Sequence, residues 1–198
     1  MELMEYFRPA HPDQALRAVP GEGQEVEVWI LGSSTFGAQL AAYLGLPYAF
    51  ASHFAPQMMM EAIRVYRETF RPSERLAKPH VMLGVNVFAA PSEEEARFLF
   101  TSLQQAFVNL RSGRPGKLPA PMEGYDARLD ARARMILDNA LSCSVVGSPE
   151  TVRRGIADLA ARTGADELMV TAQIHDHAAR LRSFALRAEA HAMAPAEA

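Results

Sequence analysis

Cysteine is nearly missing from this 198-residue chain, and Cys143 is its single example. One thiol cannot form an internal disulfide, so a disulfide-stapled scaffold is excluded and a reducing, cytoplasmic setting is expected. No run of about 20 apolar residues occurs, so no helical membrane span is expected. Met1 to Ala10 carries acidic and aromatic residues rather than an apolar leader segment, which argues against a secretory signal. A basic stripe is missing too. The 20 Lys and Arg are outnumbered by 23 Asp and Glu, the net charge is −3, and the basic residues are scattered. Nucleic acid is therefore not expected as a partner. The chain also lacks GxSxG, CxxC, HExxH, EF-hand, P-loop and GxGxxG patterns. Serine-triad, zinc and calcium chemistries have no support, and no metal site is expected.

What is present is an ordinary globular composition, 49% apolar and 22% charged. Met1 to Phe7 reads as the last turns of a helix stopped by Arg8-Pro9. His11 to Gln24 then holds Pro12, Pro20, Gly21 and Gly23, so residues 1–25 form a helix tail and loop. Val26 to Leu31 is a β-branched, apolar strand. A helix follows from Thr35 to Leu44 and stops at Gly45. Tyr48 to Ser52 is a second strand, apolar on both faces as in a buried parallel sheet. Gln57 to Phe70 is a second helix. The run Met58-Met59-Met60 suggests a soft-metal cluster, but successive helical residues diverge, which favours ordinary packing.

His80 to Ala89 is the longest strand. Ser92 follows as an N-cap with Glu95 as its capping-box partner, opening a helix to about Leu110. Glycines and prolines then punctuate a long insertion over residues 111–126. Ala127 to Leu141 is a short helix, and Cys143 lies in the apolar run after it as a buried small hydrophobe. Ser148 and Pro149 open a helix that ends at Arg162-Thr163-Gly164. Glu167 to Thr171 is the fourth strand, and Asp176 to Ala190 the last helix. Four strand–helix units in one α/β domain over residues 1–198 imply parallel strands. They fit a small open doubly wound sheet or a piece of a (β/α)8 barrel.

The strongest chemical signal is Leu31-Gly32-Ser33-Ser34-Thr35-Phe36-Gly37. It sets hydroxyls and free backbone N–H groups at a strand C-terminus just as a helix starts, which suits a phosphate, with simple serine N-capping as the alternative. Ser52 and His53 end the second strand. His53 is the catalytic candidate, as an acid/base group or a ring contact, against a structural hydrogen-bonding histidine. Asn86, inside the third strand, points into a pocket or satisfies a neighbouring backbone group. His175-Asp176-His177 has metal-like spacing but no third ligand, and Asp176 fits an N-cap equally well.

At this turn a resemblance appears. Val28 to Ser34, Ala41 to Leu44, Gly45 to Phe54, Val81 to Ala89, Cys143 to Val152 and Gly164 to Leu168 together resemble the bacterial luciferase-like monooxygenases. The likeness runs from about Val19 to Phe184. It implies a TIM (β/α)8 barrel that uses reduced flavin mononucleotide (FMN) and molecular oxygen to oxidise a small organic substrate, with a separate flavin reductase as a possible partner. Carried over, the phosphate role falls on Gly32, Ser33, Ser34 and Gly37, and approach to the flavin ring on Ser52 and His53. The insertion matches the family's variable segment near the substrate mouth.

The chain resembles only the second half of that family, strands five to eight. Most flavin-ring and phosphate contacts belong to the first half. The resemblance thus implies half a barrel, with two open edges and an uncovered core face. A truncated enzyme is one expectation. A non-catalytic remnant or interaction module is the other. Either suits a homo-oligomer in which two half-barrels close one barrel.

Overall fold

The computed structural model describes residues 2–192. A short helix α1 (Glu2–Tyr6) and an irregular segment lead into a five-stranded parallel sheet. Its strands are β1 (Ile30–Gly32), β2 (Tyr48–Phe50), β3 (Val81–Ala89), β4 (Ser144–Gly147) and β5 (Glu167–Thr171). The helices are α2 (Thr35–Leu44), α3 (Met59–Thr69), α4 (Glu93–Arg111), α5 (Tyr125–Arg128), α6 (Ala131–Ala140), α7 (Pro149–Thr163) and α8 (His177–Ala192). A 3-10 turn, Pro56–Met58, opens α3. No helix among the described residues is long and apolar enough to cross a membrane.

Strand β3 is the centre of the sheet. β2 pairs with Val81 to Leu83, β4 with Asn86 to Ala89, and β5 with Met82 to Asn86. The β5 register overlaps both others, so β5 holds one edge of β3 while β2 and then β4 share the other. The fifth strand corrects the expectation of four. Ser144 to Gly147 is only four residues long and follows an apolar run directly, so it carries no period-2 signal of its own; its partner lies 58 residues back.

The first strand is also shorter than expected. Residues 26–29 stay outside the sheet, and the Ile30 N–H donates to the carbonyl of Pro47, just before β2. Pro47 has no N–H to return, so the ladder begins at Ile30. The expected helix over 127–141 is two helices. Asp130 restarts the chain as an N-cap, accepting from the Ala133 N–H at 2.7 Å. Other caps fall where the sequence placed them. Ser92 Oγ accepts from Glu95 N–H, Ser148 Oγ from Thr151 N–H, and Asp176 Oδ1 from Ala179 N–H. Met59 is buried while Met58 and Met60 are exposed, so the methionine run is packing.

Alternation divides the sheet faces. Ile30, Tyr48, Phe50, Val81, Leu83, Val85, Leu168 and Val170 pack into one core with α2, α3, α7 and α8. Strands added outward in one direction, with crossovers of constant hand, place those helices on one face. The other face carries Leu31, Ala49, Met82 and Met169, none of them fully buried. Only at its C-terminal end is that face roofed, where Phe88 and Val146 pack under α4 and α6 in a second core.

Candidate functional site

Two turns meet at the C-terminal ends of β1 and β2. The Ala51 N–H donates to the Gly32 carbonyl at 2.9 Å, which ties the Gly32-Ser33-Ser34 turn to the Ala51 to Phe54 turn. Tyr48 lies beneath them, its hydroxyl donating to the Ser34 carbonyl at 3.1 Å. Burial pushes that phenol up to about 12, so it stays a donor at any ordinary pH. Gly32 and Gly37 let the strand and helix touch: a Cβ on either would stand 3.4 Å from the other's Cα.

Ser34 is the N-cap residue of α2, in extended backbone, yet its side chain accepts no hydrogen bond from the helix. No acidic residue occupies the first turn of α2, and Ser33 is exposed. The N-terminus of α7 is different. There Glu93 Oε1 accepts from the Ser148 N–H at 2.9 Å and from Thr151 Oγ1 at 2.6 Å. Those donors hold the Glu93 carboxyl at about 2, below the usual carboxylate range. The α7 N-terminus already holds an anion from this chain, while among the described residues no carboxylate or capping side chain engages the α2 N-terminus.

Ser52 is fully buried, and its hydroxyl donates to the Gly84 carbonyl at 2.6 Å. It therefore fixes the turn onto β3. His53 lies on the open face over Gly84, with its ring edge-on to Phe54 at 4.7 Å. Its Nδ1 is buried and has no hydrogen-bond partner among the described residues. Burial lowers its pKa, which favours a neutral imidazole. Asn86 serves neighbouring groups. Its Nδ2 donates to the His53 carbonyl at 2.6 Å and contacts Ser144 Oγ at 3.2 Å, and its Oδ1 accepts from Thr171 Oγ1 at 2.9 Å. Asn86 thus binds the ends of β2, β3, β4 and β5 into one polar layer.

Cys143 is buried beside Met59, with its thiol pKa raised by burial, so it is packed rather than nucleophilic. Asp176 caps α8. The insertion is anchored to α4: Gln105 Nε2 donates to the Ala120 carbonyl, and the Met122 N–H to Thr101 Oγ1. With α4 it lines a cavity of about 560 Å³ that includes Phe98, Arg97 and Tyr125. Gly84, Tyr48 and Glu93 were not singled out from sequence. Only Gly84 carried a signal, since a lone glycine inside an apolar strand marks a close approach.

The sequence model of the family described as Luciferase-like monooxygenase matches residues 4–167. A protein of Escherichia coli (strain K12), itself called luciferase-like monooxygenase, is 50% identical over 185 residues, 93% of this chain and 55% of its own length. The crystal structure of apo-MsnO8 superposes with a TM-score of 0.78 at 32% identity, covering 98% of this chain and 60% of that one. At fold level only, the oxygenating constituent of 3,6-diketocamphane monooxygenase from Pseudomonas putida, a Type II Baeyer-Villiger monooxygenase in complex with FMN, matches with a TM-score of 0.54 at 24% identity, covering 84% and 47%. The chain spans about half the length of the curated relatives it matches.

Proposed function

The chain belongs to the luciferase-like monooxygenase family, and from that premise we propose that it carries half of a flavin site built on strands five to eight of a (β/α)8 barrel. Those strands are β1, β2, β3 and β5, with β4 added between β3 and β5 in the chain. The observation that carries the reading is the uncapped α2 N-terminus beside His53 at adjoining strand ends. Ligand sites of such barrels lie at that end.

The residues fit the group. Backbone N–H groups at Ser34, Thr35 and Phe36, with the Ser33 and Ser34 hydroxyls, would hold the phosphate of FMN. The neutral His53 would lie toward the ring on the open face. Bound there in reduced form, the flavin would supply electrons for the activation of oxygen. The protein's part is to grip the phosphate, orient the ring and keep water from the reacting side. Reduced flavin would come from a separate reductase in the cytoplasm, and the substrate would be a small organic molecule entering beside the insertion.

Titration of the full chain with FMN, followed by flavin fluorescence, tests this. Saturable quenching that inorganic phosphate competes away is the expected result. Flavin fluorescence unchanged by the protein overturns the cofactor reading. The open face supports a second reading, a non-catalytic module whose sheet serves association. Formation of an oxygenated substrate product with reduced FMN, seen only when the chain is present, would exclude it.

A further inference from the structure

Helix α4 turns different faces to the core and to the insertion. Ala96, Leu99, Leu103 and Phe107 pack into the second core. Glu94, Phe98 and Thr101, at i, i+4 and i+7, share a separate face. The insertion lies against that face and leaves the cavity of about 560 Å³ between them. Hydrogen bonds hold the two walls together at one end. The Met122 N–H donates to Thr101 Oγ1 at 2.8 Å, and Gln105 Nε2 to the Ala120 carbonyl at 2.9 Å. Gly124, in the left-handed region at φ 63°, then turns the chain so that Met122 and Tyr125 both line the cavity. Every lining residue falls between Ser92 and Asp126. One stretch of this chain therefore builds both walls, apart from the open sheet face, the sheet edges and the turn after β1.

We propose that this cavity binds a small organic cation, a protonated amine with an apolar or aromatic body. Its volume lies in the range of small-molecule sites, about 300–1,000 Å³. Phe98, Met122 and Tyr125 supply apolar wall for the body. Phe98 and Tyr125 are half-buried, each packed against the second core and each also lining the cavity. Aromatic faces attract an ammonium group, and more strongly as water is removed. Burial, with the Asp126 carboxylate second, pushes the Tyr125 phenol up, so the ring stays neutral at ordinary pH.

Charge selects the sign of the ligand. Four carboxylates, Glu94, Glu95, Glu123 and Asp126, line the cavity against one guanidinium, Arg97, an excess of three negative charges. Arg97 is already drawn to Glu93, with Nη2 3.4 Å from Oε2. Arg134 donates to the Asp126 carbonyl and not to its carboxylate. The carboxylates are also dispersed. Among the described residues no three metal-ligating side chains converge closely enough to hold a metal ion. A compact divalent cation needs convergent oxygen ligands, whereas dispersed charge beside aromatic rings suits an ammonium group on a carbon skeleton. The same charge repels a phosphate, which separates this site from the hydroxyl-rich turn after β1.

Nuclear magnetic resonance titration of the full chain with 2-phenylethylamine tests this, with 2-phenylethanol and 3-phenylpropionate as neutral and anionic counterparts. The amine should bind saturably and shift the Phe98 and Tyr125 ring resonances. It should bind roughly fivefold or more tightly than the alcohol, with the carboxylate weakest. Glu123→Gln and Asp126→Asn lie at exposed positions. Combined in one variant, they should weaken the amine by roughly fivefold or more and leave the alcohol unchanged. Glu74→Gln, at an exposed position before β3 and so at the other end of that strand, should change neither. Amine binding that does not saturate overturns the inference. So does an alcohol that binds as tightly as the amine, or an amine affinity unmoved by the double substitution. Shifts that spare Phe98 and Tyr125 overturn it as well. Success or failure of FMN binding leaves it untouched, since none of these titrations contains flavin.

Discussion

The imidazole of His53 occupies the space that a side chain at Gly84 would fill: a Cβ on Gly84 would stand 2.1 Å from His53 Nδ1. The β2 turn and the middle of β3 are therefore fitted to each other. Ser52, bonded to the Gly84 carbonyl, and Asn86, bonded to the His53 carbonyl, hold the fit from either side.

Gly84→Ala should push the His53 ring off the sheet. Overpacking of this kind costs about 1–3 kcal/mol. Chemical denaturation should show that loss, and the His53 ring resonances should shift. An unshifted ring with unchanged stability would refute the contact.

His53 should titrate below the ordinary histidine range, because burial disfavours its charged form. Its folded-state pKa is depressed, so the unfolded chain binds the proton more readily. The stability linked to His53 is then fully present above the unfolded value of 6.5 and falls as pH drops below it. Nuclear magnetic resonance titration of the His53 ring checks the direction. A midpoint at or above 6.5 would count against it.

Glu93→Gln should cost stability at neutral pH and little in strong acid. The wild-type carboxyl lies at about 2, held down by Thr151 Oγ1 and the Ser148 N–H, against 4.5 for a free one. Its contribution is complete above 4.5 and is lost as pH falls from there toward 2. Melting temperatures of the two proteins, measured across that window, should converge. A gap that is constant with pH would show that the charge is not what matters.

Ser34→Asp separates helix capping from anion binding. The extended backbone at Ser34 is that of an N-cap, and an aspartate there should cap α2 and raise the melting temperature slightly. The same carboxylate should repel a phosphate, so FMN should bind at least about tenfold more weakly. Equal FMN affinity in both proteins would place the phosphate elsewhere.

The sequence disclosed what local chemistry controls. Ser92, Ser148 and Asp176 announce their helices because a capping side chain and the turn it closes lie within three residues. β3 and β5 are legible as apolar runs between breakers. The ladder of β1 is shorter than its β-branched sequence suggests because Pro47, a residue distant in the chain, ends it. β4 escapes notice because four residues become a strand only through pairing with Asn86 to Ala89. At the site, the hydroxyl-rich turn could be read from Gly32 to Gly37. The housing of His53 could not, because it depends on Gly84, 31 positions away and on another strand. Asn86 had two open readings, and only the assembled strand ends decide between them.

Glu93 has a further meaning for how this region tolerates change. It begins α4, and it grips the first residues of α7, with 55 positions between Glu93 and Ser148. The chain departs from the sheet and returns to it at one clasp. What lies between, including α5, α6 and the 112–124 stretch, is a closed excursion hung from that point and from β4. Doubling the length of a flexible loop costs only about 0.6 kcal/mol in closure entropy. Residues in the outer part of this excursion can thus be added, removed or exchanged while β1, β2, β3 and β5 keep their register. The protein has a fixed frame and, fastened to it at both ends, a segment whose length the frame does not depend on.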